Sequence, residues 1–233
     1  MIDINLFSDV ANPYFQGFMP EPLFDTSNQW MRIAYLDPQG TELLQRCHQH
    51  VEQFRSGADK RGAVVVVHPF YTLLEHPVYL ADAGYQLVID SAVESLTKII
   101  TDIDRDKFEL VFVDVPEHYA RFNSWFLESG LVDDVVFTES NVGYVITNNN
   151  SRRWIQRMVE KDIVCLGGEY EDECAGHTLE TLMEFLQREK VHTVPEILVP
   201  TLKLYHRRQY VVAQHNADQS VKVADLCTNG RHC

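Results

Sequence analysis

The chain has 233 residues, 45% apolar and 23% charged, with 34 acidic side chains against 20 basic ones and a formal net charge of -14. That length buries a sizeable core, and that composition excludes a disordered chain. The negative field repels phosphate backbones and anionic lipid, so neither nucleic acid nor a membrane surface is an expected partner.

The first forty residues set Pro13, Pro20, Pro22 and Pro38 among Phe7, Tyr14, Phe15, Phe18, Phe24 and Trp30. Proline at that density opposes long helices while the aromatic rings need burial, so an irregular arm over the main body is expected, with a short strand at Met31–Tyr35. Residues 1–5 have no basic region leading into an apolar stretch, and no run is long and apolar enough to span a bilayer. Five cysteines without a CxxC pair read as reduced thiols, which places the chain in the cytoplasm.

A helix is expected over Thr41–Arg55, with Leu43, Leu44, Cys47, Val51 and Phe54 at helical spacing. Ala63–Val67 is a β-branched run suited to a strand buried on both faces. Ser91 and Glu94 have capping-box spacing and open a helix to about Ile103. Leu110–Val113 is the next buried strand, and Pro116 sits in the first turn of a helix that ends near Gly130. Val135–Phe137 follows as a strand, Tyr144–Ile146 as a short piece of another, and Asn150 or Ser151 caps a helix to about Glu160. Ile163–Leu166 is a further buried strand. The Gly167-Gly168 turn comes next, then a helix over Asp172–Arg188 and a last strand at Val191–Val199. Tyr210–Ala213 and Val221–Val223 read as a C-terminal hairpin.

Strands alternating with helices of these lengths make βαβ units on a mostly parallel sheet, a three-layer, Rossmann-like α/β sandwich. Residues 1–233 read as one domain: arm and first helix over 1–60, sheet core over 61–200, extension over 201–233.

Ligands of open α/β sheets bind beyond the carboxyl ends of the strands. The first strand ends in His68-Pro69-Phe70-Tyr71, the second in Asp114 with Glu117 and His118 following, and the third in Thr138-Glu139-Ser140-Asn141. The strand at 163 ends in Gly167-Gly168-Glu169-Tyr170 and leads to Cys174 in the first turn of a helix. Unpaired N–H groups and the positive dipole end favour a thiolate there, and the same N–H groups suit an oxyanion. Glu171, Asp172 and Glu173 oppose that ionisation.

The segment Gly168 to Thr178 resembles the G-x-x-x-D-x-C-x-x-x-T segment of the isochorismatase-like cysteine hydrolases, with Gly168, Asp172, Cys174 and Thr178 at the fixed offsets. Gly143-Tyr144 and Ser151 are similar to the family's upstream spacing, and the resemblance spans Ala63 to Val199. It implies an isochorismatase-like fold, an amide or related C–N hydrolase, no cofactor, and Cys174 as the nucleophile. It also implies an aspartate ending the first strand and a lysine before the helix preceding the cysteine strand. This chain has His68 at the first place and no lysine near Glu139–Asn141.

Three readings follow. In the first, Cys174 attacks a small polar substrate, His68 is the base, and Glu139 or Asp114 orients it, with Gly168, Glu169, Tyr170, Tyr71 and His177 contacting the substrate. In the second, His68, Asp114, His118 and Glu169 converge on one divalent metal ion. In the third, the scaffold binds a small molecule or protein without catalysis. Glu117 and His118 otherwise read as a solvated helix face, and Cys165 as core. The aromatic arm leaves room for a homodimer in which it packs across the neighbouring subunit.

Overall fold

The computed structural model describes residues 13–15, 38–75, 83–138, 149–200 and 219–228. Its centre is β1 (Gly62–Val67), six residues buried on both faces as the unbroken valine run requires. Parallel partners flank it, β2 (Phe108–Asp114) on one side and β4 (Ile163–Glu169) on the other, with β3 (Asp134–Phe137) beyond β2 and β5 (Val191–Val199) beyond β4. The order β3-β2-β1-β4-β5 means that the chain builds outward from the middle, then returns to start β4 against β1. The crevice between the carboxyl ends of β1 and β4 is therefore the topological switch point.

Helices cover both faces. On one, α1 (Pro38–Phe54), α3 (Ala83–Asp102) and α5 (Ser124–Glu128) bury Leu43, Cys47, Leu96, Ile99 and Phe126 against Val64, Val66, Leu110 and Phe112. On the other, α6 (Asn149–Val159) and α7 (Cys174–Phe185) bury Trp154, Met158, Leu179 and Leu182 against Val65, Val67, Val113 and Leu166. The three-layer α/β sandwich expected from the alternating pattern is what forms. The arm contributes one turn, Pro13–Phe15, whose Phe15 is fully buried with its ring 5.4 Å from that of His50 and 5.9 Å from that of Tyr119.

Several boundaries differ from expectation for physical reasons. Helix α3 begins at Ala83, so Ser91 is an interior residue on its solvent side, and the apolar stripe Tyr85, Ile89, Ala92, Leu96 sets the extent. Gly167 and Gly168 continue β4 rather than ending it. A Cβ on Gly167 would overlap Ile197, and one on Gly168 (φ +124°) would overlap the Val67 backbone, so here glycine marks close approach within the sheet. The helix after β2 is interrupted. Short α4 (Pro116–His118) passes into a π-turn at Tyr119–Asn123 before α5, and Gly130 (φ +69°) closes the segment in the left-handed region, as its sequence position predicts.

At the C-terminus, Val221-Lys222-Val223 is not a hairpin strand. Ser220 bridges Thr193 in parallel, Val221 N–H donates to Thr193 O at 2.8 Å, and Val223 opens the short α8 (Val223–Leu226). The proposed partner strand at 210–213 and the expected pieces at 31–35 and 144–146 lie outside the described residues. Strand β5 carries an exposed Pro195 and a register irregularity where it pairs with β4.

The amino ends of the strands hold a buried ion network. Glu109 in β2 is fully buried and bonds Arg157 of α6 at 2.6 Å and Lys161 at 3.2 Å. Asp134 in β3 receives Arg157 at 3.0 Å and Arg55 at 2.8 Å. The Lys161 ammonium also donates to the Lys60 and Ala58 carbonyls at 2.6 and 3.0 Å. Burial raises the Glu109 and Asp134 carboxyls, while the arginines and the lysine oppose the rise.

Candidate functional site

Because all five strands are parallel, their carboxyl ends share one edge, and the expected residues of β1, β2 and β4 arrive there. Strand β1 does so through an unusual turn: His68 (φ +46°) and Phe70 (φ +66°) both adopt left-handed backbone angles with Pro69 between them. Non-glycine residues rarely do so unless their surroundings hold them there. The turn leads into α2 (Tyr71–Glu75) and places Thr72 opposite the end of β4.

There Thr72 clamps Glu169. Its backbone N–H donates to Glu169 Oε2 at 2.8 Å, its hydroxyl donates to the same oxygen, and Tyr170 Oη lies 3.0 Å from that hydroxyl. Glu169 is 5% exposed, and burial pushes its carboxyl up to about 7 against the opposing Thr72 bonds and the nearby His118. The Glu169–Tyr170 peptide is cis. Pro69, Phe70, Gly168 and Glu169 line a cavity of about 10 Å³, room for about one water. A larger hollow, about 300 Å³, lies outside the sheet between α3 and β5 among Leu87, Val88 and Leu198, away from these polar groups.

On the other side of β1, His68 Nε2 is 3.3 Å from Thr138 Oγ1 at the end of β3, and its ring stacks on Tyr71 with centroids 5.7 Å apart. Burial lowers the imidazole to about 4, Asp114 opposing and His118 adding to the fall, so His68 is neutral at physiological pH. The expected His68–Asp114 pairing is not what forms. Asp114 Oδ1 accepts Val115 N–H at 2.8 Å, its Oδ2 accepts the Asn123 amide, and His118 Nδ1 is 3.5 Å from Oδ1. The π-turn is what swings Asn123 onto the carboxylate. His118 is fully buried, not a solvated helix face; the Tyr71 ring meets it edge-on at 5.2 Å, and the Tyr71 and Tyr170 rings meet edge-on at 6.0 Å.

The metal reading is not supported. Among the described residues no group of three or more His, Cys, Asp or Glu side chains is placed to hold an ion. Asp114 is committed to Asn123 and Val115, Glu169 to Thr72, and the Tyr71 ring touches both histidines, so the four groups do not face one centre.

Cys174 opens α7 as expected, with Glu173 preceding it. The sulfur belongs to the apolar cluster of the α7 face, the residue is 3% exposed, and its thiol is raised well above the usual range. Burial is the main cause. Glu173 and Glu169 add to it, and the Tyr170 and Cys174 N–H groups oppose it. The turn that brings the thiol back to the strand end is tight, with Glu173 and Ala175 N–H both donating to Tyr170 O at 3.1 and 3.0 Å. Thr178 Oγ1 donates to the Cys174 carbonyl at 2.9 Å, so the motif threonine pins the first helical turn. Glu171 is raised to about 7 by burial and by Asp172. His177 lies one turn along α7, part-exposed, and Glu139 lies outside the described residues. Cys165 is core.

Sequence reasoning placed Thr138 at this edge but missed Thr72 and Asn123 as neighbours of the site. Thr72 stands five residues past the end of β1 and was findable by the same edge rule. Nothing in the sequence signals the π-turn.

Glu169 gives a test in solution. A folded-state value near 7 against an ordinary 4.5 means that the folded chain holds this proton more tightly than the unfolded chain does. The resulting stabilisation, about 3 kcal/mol, is fully present below pH 4.5 and is lost as pH rises through 7. His68 runs oppositely across the same range. Its stabilisation is present above its ordinary 6.5 and is lost as pH falls toward 4. The wild-type curve alone therefore mixes the two. Urea midpoints of wild type and Glu169→Gln, measured from about pH 5 to about pH 8, are expected to show the variant gaining on wild type as pH rises. Parallel curves would place the Glu169 carboxyl in an ordinary, solvated environment.

No family model matches the chain, and no curated protein matches its sequence. Among solved structures the chain is similar to an isochorismatase-like hydrolase from Alkaliphilus metalliredigens, at 14% identity and TM-score 0.45 over 71% of this chain and 96% of that one. It is also similar to N-carbamoylsarcosine amidase from Thermoplasma acidophilum (20%, TM-score 0.40, 70% and 95%) and to the MAR1 ribonuclease from Caenorhabditis elegans (14%, TM-score 0.44, 73% and 80%). At such scores these likenesses assign no residue and no reaction. What stands on the chain's own geometry is a five-stranded parallel α/β sandwich with a buried polar cluster at the carboxyl ends of its strands.

Proposed function

We propose that the chain is a hydrolase of a small polar molecule, cleaving an amide or related C–N bond with Cys174 as nucleophile. The observation that carries this reading is the buried Glu169 carboxyl at the β1–β4 switch point, held through one oxygen by Thr72 and titrating near neutrality, five residues before a thiol that opens a helix. In this reading the thiol proton passes to Glu169 as sulfur adds to the carbonyl carbon, and the Tyr170 and Cys174 N–H groups stabilise the developing charge. The proton then leaves on the expelled nitrogen. Water adds to the thioester, giving one proton through Glu169 to the departing sulfur, and the products are an acid and an amine. His68, neutral and away from Thr72, serves the substrate as a hydrogen-bonding group rather than as a base.

The second reading, a binding protein without turnover, draws support from the 3% exposure and raised thiol of Cys174. Iodoacetamide labelling followed by peptide mapping separates them. The hydrolase reading expects Cys174 to be alkylated at least about tenfold faster than buried Cys47 and Cys165. It also expects Cys174→Ala to abolish amine release from a panel of small carboxamides while the thermal melt is unchanged. Labelling of Cys174 no faster than of Cys165, with carboxamides untouched, selects the binding protein.

A further inference from the structure

The π-turn that puts Asn123 on Asp114 is bracketed by a single imidazole. His50 of α1, 3% exposed, has Nδ1 2.7 Å from the Tyr119 hydroxyl and Nε2 3.0 Å from Glu128 Oε1. Tyr119 opens the turn and Glu128 ends α5, so the ring is bonded to this helical segment on both sides of the irregularity. The direction of the two bonds is fixed. A carboxylate only accepts, so Nε2–H donates to Glu128, and burial keeps the ring neutral at physiological pH against the opposing carboxylate. Burial also raises the Tyr119 phenol, so the hydroxyl keeps its hydrogen and donates it to Nδ1.

Such a bracket fits a π-turn and does not fit an uninterrupted α-helix. Tyr119 and Glu128 are nine positions apart. At about 100° per residue an α-helix would set them about 180° apart, on opposite faces, where one ring cannot bond both. A π-turn absorbs one extra residue and reduces that angle to about 80°. The extra residue shows as the Ser124 N–H bonded to Tyr119 O, five positions back. Its loss would turn one flank by about 100° relative to the other. Phe126 and Leu127 anchor α5 in the core, and Asn123 lies inside the turn, so its amide leaves Asp114 in such a change.

We infer that His50 is a positioning residue for the candidate site: bonded to Tyr119 and Glu128 at once, it selects the π-register of this segment and so keeps Asn123 on Asp114. It acts on Asp114 only through the turn. The bonding of a carboxylate at the sheet edge is thereby set from α1 and from Glu128 at the exposed end of α5.

Three substitutions separate the bond from the ring that makes it. Tyr119→Phe removes only the hydroxyl, and His50→Phe keeps a ring but removes both nitrogens. His50→Asn does the reverse. Its amide oxygen stands as many bonds from the backbone as Nδ1 does, but the ring contacts with Tyr14 and Phe15 are lost. One readout is the Asn123 side-chain amide, followed by proton–nitrogen correlation in isotope-labelled full-length protein and assigned through the Asn123 backbone connectivities. The other is the melting temperature. In both phenylalanine variants the amide is expected to shift toward the position of exposed side-chain amides and to exchange with solvent at least about tenfold faster than in wild type. His50→Asn is expected to keep the wild-type signal although it lowers the melting temperature more. A purely structural role for His50 would make the signal follow the melting temperature across the set, and that result overturns the inference. So does a signal unmoved in both phenylalanine variants, which would mean that the packing of Phe122 and Phe126 alone sets the register. Where a phenylalanine variant does not fold, Glu128→Ala, at an exposed position, removes the outer bond and is expected to move the same signal in the same direction. An unmoved signal there counts equally against His50. None of these readouts involves Cys174, so the outcome is independent of the hydrolase reading.

Discussion

Gly168→Ala is expected to cost about 4 kcal/mol or more, enough to leave the chain largely unfolded at ambient temperature. Two effects act together. At φ +124° an L-residue is strained whatever the space around it, and the added Cβ would lie 2.5 Å from Val67 N and closer still to Val67 O. Those atoms belong to the central strand and cannot turn aside as a side chain does. Gly130→Ala is the control, because it shares a positive φ (+69°) but has open space around the Cβ position, and it should cost about 1 kcal/mol. Urea denaturation of both variants checks the pair. Equal and small losses would mean that β1 and β4 do not approach as closely as described.

The second large effect lies at the opposite edge. Glu109→Ala leaves Lys161, itself 2% exposed, and Arg157 facing a site without its carboxylate, and it is expected to cost about 3–5 kcal/mol. The Arg61–Asp162 pair, at 85% and 57% exposure, provides the contrast, and Arg61→Ala should change stability by less than about 1 kcal/mol. Raising the salt concentration should leave the Glu109 loss intact, because counterions do not reach a buried pair. A Glu109→Ala variant as stable as Arg61→Ala would show water filling the network.

The layers of the fold were legible because their cause is local. The Ala63–Val67 and Leu110–Val113 runs are buried on both faces, and Leu43, Cys47 and Val51 repeat at the spacing of a helix with one apolar side. Local reasoning misled where two local signals competed. Ser91 and Glu94 have capping-box spacing inside a helix whose apolar stripe starts earlier, and the stripe decided the boundary. Gly167-Gly168 has the composition of a turn, but its reason lies across the sheet in Val67 and Ile197. The edge rule brought His68, Asp114 and Glu169 to one end of the sheet. It could not say that Asp114 would be taken by Asn123 through a π-turn, or that His68 would turn toward Thr138 and Glu169 toward Thr72. Those pairings join residues 9, 70 and 97 positions apart, and no spacing in the sequence encodes them.

The outermost strand has a bearing on how copies of this chain can meet. An incoming strand at β5 would find no N–H at Pro195 and would have to displace Gln219 and Val221, which already bond Thr193. Opposite it, β3 offers only four residues. Among the described residues, both edges of the sheet are thus poor templates for a strand of a second molecule.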